Sequence, residues 1–180
     1  GRRILSNPNY KCQGDTDNLC GIYASLNSII KATDGVMTIS QTRARTLFGE
    51  IISHLHRRRL LYKIHQHGTT VQQLDEYLTL LENKLSEKIK IYHYFPFSER
   101  TRVKTVIKRL TDMSSEKHIA IILPLEGKYY HWSLLDKIIG NRIYLIDSNH
   151  LKYINIDKIP DVHQICPEEV CVVVADTETV

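Results

Sequence analysis

The chain has 180 residues, 42% of them hydrophobic and 24% charged, which is ordinary for a globular protein able to bury a sizeable core. Its formal charge of +4 permits acidic partners but does not demand nucleic acid, because no basic repeat is interleaved with aromatics. No apolar run approaches the roughly 18 residues of a membrane span, and no charged start followed by an apolar core marks a signal peptide.

Residues 1–11 read as an extended lead-in with a turn at Asn7-Pro8-Asn9. Gln13, Gly14, Asp15, Thr16, Asp17 and Asn18 continue a polar, turn-rich run. The character then becomes helical, with Ile22, Leu26, Ile29 and Ile30 on one face. This helix is expected to end near Ala32, ahead of Asp34-Gly35. Cys20 sits where loop becomes helix. A thiol there lies near unsatisfied backbone N–H groups and the positive end of the macrodipole, and both favour the nucleophilic thiolate. Gln13, seven positions upstream, carries an amide donor of the kind that stabilises an oxyanion.

Residues 40–65 read as a second helical region capped by Ser40, with Ala44, Leu47, Phe48, Ile51, Ile52 and Leu55 at helical steps. The Arg57-Arg58-Arg59 run within it reads as a solvated face. Gly68-Thr69-Thr70 interrupts the pattern and caps a third helix carrying Val71, Leu74, Leu78 and Leu81. A strand over 89–95 is stopped by Pro96, and a further helix is expected over 98–110. Strands follow at 118–125, 129–138, 141–147, 152–156 and 170–175, with turns at Glu126-Gly127-Lys128 and Gly140-Asn141. Helices first and an antiparallel meander later give an α+β fold. No repeat, low-complexity tract or linker divides the chain, so a single domain over 1–180 is expected. Its start at Gly rather than Met fits a domain cut from a longer protein.

The strands supply the partners that a nucleophile needs. His131 lies early in one strand, and Asp147 ends the next. Alternation puts Tyr129, His131 and Ser133 on one face, and Ile143, Leu145 and Asp147 on one face. If the strands turn tightly around Ile139, residue 131 stands opposite 147. A two-residue slip brings Asn149 opposite instead, as a substitute orienter. Either pairing gives a general base held by a carboxylate or amide.

Taken together, Cys20, His131 and Asp147 in this order resemble the papain-like cysteine peptidases, in which the helix carrying the nucleophile packs on a sheet carrying His and Asp. Within that group the chain is most similar to bacterial double-glycine leader peptidases associated with bacteriocin export. Leu19-Cys20-Gly21-Ile22-Tyr23-Ala24-Ser25-Leu26 resembles the nucleophile motif, and Gly68-Thr69-Thr70 a mid-domain element. His131-Trp132 through Asp147-Ser148 resembles the His–strand–turn–strand–Asp ending. The resemblance implies Cys20 as nucleophile, His131 as base, Asp147 as orienter and Gln13 as oxyanion donor. Leu19 stands where the family usually has Asp, Ser148 where it has Pro, and the Gln-to-Cys step of seven is one longer than expected. Bacterial effector proteases and glutamine deamidases use a similar arrangement, so the implied activity is amide hydrolysis of a protein or peptide: peptidase first, then a deamidase of the effector or toxin kind. A non-catalytic binding module on the same fold is the alternative from another class.

The remaining residues are given plainer readings. Cysteines at positions 12, 20, 166 and 171 are too few for a disulfide scaffold and lack zinc spacing, so reduced thiols and a reducing compartment, cytoplasmic or reached by a secreted effector, are expected. A Cys12–Cys20 or Cys166–Cys171 bridge stays open, as does Cys12 as a resolving thiol. His54 and His56, like His65 and His67, stand two apart and point to different helix faces, so they read as solvated and no metal is expected. His93 and His118 are assigned to strand positions, and Trp132 to core packing from the strand face opposite His131. No cofactor is called for. Oligomeric state is left open.

Overall fold

The computed structural model describes residues 19–127, 131–147, 150–159 and 163–177. Gln13, Cys12, Asn149, Ser148 and the lead-in turn therefore lie outside the described residues. Helix α1 spans Cys20–Ala32, and most of its residues are buried. A helix apolar nearly all round must be enclosed, and α1 is, between the sheet and its neighbouring helices. Helix α2 spans Gln41–Arg57, with the Ser40 side chain accepting from Arg43 N–H as the sequence implies.

The second helical region divides in two. Arg59 adopts φ +57°, and the Leu60 N–H turns back to the Leu55 carbonyl, closing α2 before α3 begins at Leu61–His67. An arginine fills the left-handed position that glycine usually marks, which is why the sequence shows no break there. Gly68, at φ +76°, ends α3, and Thr70 opens α4 at Val71–Leu85 with a reciprocal cap involving Gln73.

Strand β1 runs over Lys90–Tyr94 and helix α5 over Val103–Ser114. The helix starts later than the sequence suggests because Ser98 makes a turn with Thr101 instead of a cap. Strands β2 (Ile119–Gly127), β3 (His131–Ile139), β4 (Arg142–Ile146), β5 (Tyr153–Asn155), β6 (His163–Ile165) and β7 (Cys171–Asp176) complete a seven-stranded antiparallel sheet. Its order is β1-β7-β2-β3-β4-β5, with β6 joining β2. Glu126 and Gly127, read as a turn, instead extend β2 and pair with β6, a three-residue strand too short to be seen in the sequence.

Each face of the sheet carries its own core. Helices α1, α2 and α4 cover one face over Ile122, Trp132, Leu134, Ile146 and Val173. Helix α5 places Val106 and Leu110 against Leu123, Leu135, Ile143, Leu145 and Val172 on the other. The architecture is thus α+β, with helices packed on an antiparallel sheet.

The β3–β4 register decides which residues meet. Around the Gly140-Asn141 turn, Ile139 pairs with Arg142, Ile138 with Ile143 and Lys137 with Tyr144. A bulge at Asp136 then shifts the frame, so that Leu135 pairs with Leu145 and Leu134 with Ile146. A tight turn placing residue 131 squarely opposite 147 is therefore not the arrangement found. The frame is that of the two-residue slip, and it sets Asp147 level with Ser133. Without the extra residue the turn frame would set Asp147 level with Leu134, and His131 would point to the other face.

Candidate active site

The site forms where the start of α1 meets the starts and ends of the central strands. Leu19 occupies the N-cap of α1 and supplies no side-chain cap, while its carbonyl accepts from the Ile22 and Tyr23 N–H groups. The first turn of α1 therefore keeps its dipole and its leading N–H groups toward Cys20, and that turn itself contains no acidic residue. Cys20 itself is 7% exposed and lines a cleft. None of Cys20, Cys166 and Cys171 is in a disulfide, so the thiol at position 20 is not tied up in a bridge.

Gly21 explains how the helix comes so close to the cleft wall. A Cβ at this position would lie 2.5 Å from the Cβ and Oγ1 of Thr69. Only a residue without a side chain lets α1 press against the Gly68-Thr69-Thr70 segment. The Thr69 carbonyl accepts a hydrogen bond from Trp132 Nε1–H at 2.8 Å, tying that wall to β3. Trp132 packs into the α1-side core, as expected, and also lines the cleft. Behind Thr69 lies the buried Tyr77 of α4, whose hydroxyl burial pushes up to about 12.

His131 is the first residue of β3, and its Nε2–H donates to Asp147 Oδ1 at 2.5 Å. Its ring and the Cys20 side chain line the same cleft. With Nε2 engaged by the carboxylate, Nδ1 is the nitrogen left for the sulfur. Asp147 is reached on the diagonal, since Ser133 is the residue level with it. Ser133 is buried and donates its Oγ–H to Asp147 Oδ1 at 2.6 Å, and Leu151 N–H donates to Oδ2 at 3.1 Å.

The electrostatics follow from these contacts. Burial works against a charged ring at His131, but hydrogen bonds with Asp147 and Cys20 and the charges of both raise it to about 9. Burial likewise pushes the Asp147 carboxyl up. The hydrogen bond and charge of His131, with the Ser133 and Leu151 donors, outweigh it and hold the group below the usual carboxylate range. An imidazolium at neutral pH, held by an ionised carboxylate and facing a thiol, results.

The cleft has a volume of about 350 Å³. Residues 68–72 line it together with Cys20, Pro124, Leu125, His131, Trp132 and Glu169. Three expected site residues, Cys20, His131 and Asp147, are thus brought together; Gln13 and Asn149 lie outside the described residues. Ser133 was visible in the sequence only as a neighbour of His131 on its strand face. Thr69 was visible only as part of the Gly68-Thr69-Thr70 segment, and Glu169 had no distinguishing signal.

Other histidines take different roles. His54 Nε2 is 3.2 Å from Glu76, which also accepts from Arg58 at 2.7 Å, so this residue is paired across two helices rather than simply solvated. His93 is held between Glu82 and Asp75 of α4, each at 2.5 Å. No cluster suited to a metal ion is present among the described residues. No described helix is long and apolar enough to cross a membrane.

No family model and no curated protein matches the sequence. Among solved structures, a double glycine motif protease from an AMS/PCAT transporter, in complex with its leader peptide, is similar over 93% of this chain and 91% of its own. The identity is 11% and the TM-score 0.46.

Proposed function

We propose that this protein is a cysteine hydrolase that cleaves a peptide bond in an extended protein or peptide substrate. The observation that carries the reading is His131, bonded through Nε2 to Asp147 and lining one cleft with Cys20. In this reading the Cys20 thiolate attacks the substrate carbonyl carbon, and the C=O electron pair moves to oxygen. The backbone N–H groups at the uncapped start of α1, with Gln13 as side-chain donor, stabilise the resulting oxyanion. The imidazolium of His131 gives its proton to the leaving amine as the C–N bond breaks. Neutral His131 then takes a proton from water as its oxygen attacks the thioester carbonyl; the C–S bond breaks, the carboxylic acid leaves, and the Cys20 thiolate and His131 imidazolium are restored. Ser133 and Asp147 hold the ring throughout.

Deamidation of a glutamine side chain runs through the same acyl-enzyme. A cleft of about 350 Å³ beside the thiol has room for a stretch of peptide chain, and this supports the peptidase reading first. The convergence of the three groups supports catalysis over a purely binding role.

Incubation of a proteome-derived peptide library with the wild type, Cys20→Ala and His131→Ala tests the reading. New peptide termini that vanish in both variants are expected. A gain of about one dalton at glutamine, equally variant-sensitive, would move the assignment to a deamidase. If neither appears, and peptide-based electrophiles label Cys20 no faster than they label a denatured control, the hydrolase reading is wrong.

A further inference from the structure

Lys31 occupies the last turn of α1, the same helix that begins with Cys20. Its side chain crosses to β3, where Nζ donates to the Leu135 carbonyl at 3.0 Å and to the Asp136 carbonyl at 3.4 Å. These two carbonyls belong to the bulge, and a bulge leaves backbone groups outside the regular ladder. An acceptor left without a partner at a half-buried site is costly, so a cation directed at both is a specific solution. The burial that holds the Lys31 ammonium below the ordinary lysine range is partly offset by the charge of Asp136, the bulge residue itself.

The bulge in turn determines the geometry of the site. On its turn side, Lys137 pairs with Tyr144; on its site side, Leu135 pairs with Leu145. The one extra residue returns His131 and Ser133 to the strand face shared with Asp147. We propose that Lys31 is a positioning residue: by holding the Leu135 and Asp136 carbonyls it fixes the β3 bulge, and through it the contact of His131 and Ser133 with Asp147. It does not touch the reacting atoms. One helix then sets both halves of the site, the nucleophile at its start and the base through its end. The inference deepens the proposed hydrolase reading and rests on it for its catalytic meaning, while its structural content stands by itself.

Ring-nitrogen NMR titration of His131 in the wild type, Lys31→Met and Lys31→Arg tests this without a substrate. The wild-type ring is expected to titrate in the alkaline range. In Lys31→Met, its midpoint is expected to fall by at least one pH unit, a tenfold change in the protonation equilibrium. Lys31→Arg, whose fork can reach both carbonyls, is expected to restore most of the shift. Should the methionine variant not fold, Lys31→Gln, uncharged but still a donor, takes its place with a smaller fall expected. A folded Lys31→Met that keeps the wild-type titration and merely melts lower overturns the proposal. Absence of activity toward every peptide, with a Lys31-dependent titration intact, would count against the hydrolase reading alone.

Discussion

Replacing Asp147 by asparagine keeps the side-chain shape but removes the charge and one acceptor. The asparagine oxygen can still accept from Ser133 Oγ–H, while its amide nitrogen stands where Oδ2 accepted from Leu151 N–H, so that bond is lost as well. The loss falls on His131. Its ring, raised from 6.5 to about 9, prefers the charged form by roughly 3 kcal/mol relative to an ordinary histidine. Asp147 is the first of the groups favouring that charge, and burial opposes it. Without the carboxylate the ring is expected to titrate at or below about 6.5. At pH 7.5 the charged fraction then drops from nearly all to about a tenth. Ring-nitrogen NMR titration of His131 reads this directly. The midpoint is expected to fall from about 9 in the wild type to about 6.5 or below in Asp147→Asn. The linkage to folding has the matching sign. Stability from the raised ring is fully present below about 6.5 and is lost as pH rises through about 9, whereas the part due to Asp147 is lost as pH falls through its lowered value. A ring titration unchanged by the substitution would show that Asp147 does not hold the charge on the ring, and the reasoning would fail.

Other perturbations separate the supporting contacts. Ser133→Ala leaves Asp147 short of one buried donor and is expected to cost roughly 1.5–3 kcal/mol in urea unfolding, with slower Cys20 alkylation; a loss of stability alone would confine Ser133 to packing. Gly21→Ala drives a methyl into Thr69 and is expected to destabilise by about 1–3 kcal/mol, measured by thermal melting, with recovery in the double variant carrying Thr69→Gly. A neutral Gly21→Ala would mean that α1 is not pressed on that wall. Burial opposes the charge on His93, but Glu82 and Asp75 prevail and raise it; the same carboxylates and burial push the nearby Cys171 thiol up. The α4–β1 clamp should therefore contribute fully below about 6.5 and fade as pH climbs through the raised folded value. The urea midpoint of His93→Gln should trail the wild type more at pH 6 than at pH 9.5, and equal gaps would refute the clamp.

The α+β order and the three converging residues could be read from the chain because each rests on a local rule. Cys20 stands at a turn-to-helix change, and His131 and Asp147 each occupy a definite parity on a strong strand. The details that failed involve residues acting against type. Arg59 takes a left-handed conformation without being glycine, so the end of α2 was hidden. Asp136 forms the bulge without any glycine or proline to mark it, so the register of β3 and β4 was open to a slip. Ser98 resembles a helix cap but closes a turn, and β6 has only three residues on which a pattern could show. Lys31 carries no signal of its own in the sequence, because its significance depends on carbonyls 104 and 105 positions away.

Helix α1 is held at both ends, by Thr69 against Gly21 at its start and by the β3 carbonyls against Lys31 in its last turn. Eleven steps of about 1.5 Å separate Cys20 from Lys31, a rigid spacing of roughly 16 Å. Adding or removing one residue between them would swing one end by about 100° relative to the other. The length of α1 is therefore quantised in whole turns, and this helix should tolerate side-chain exchange along its inner face far better than any change in residue count.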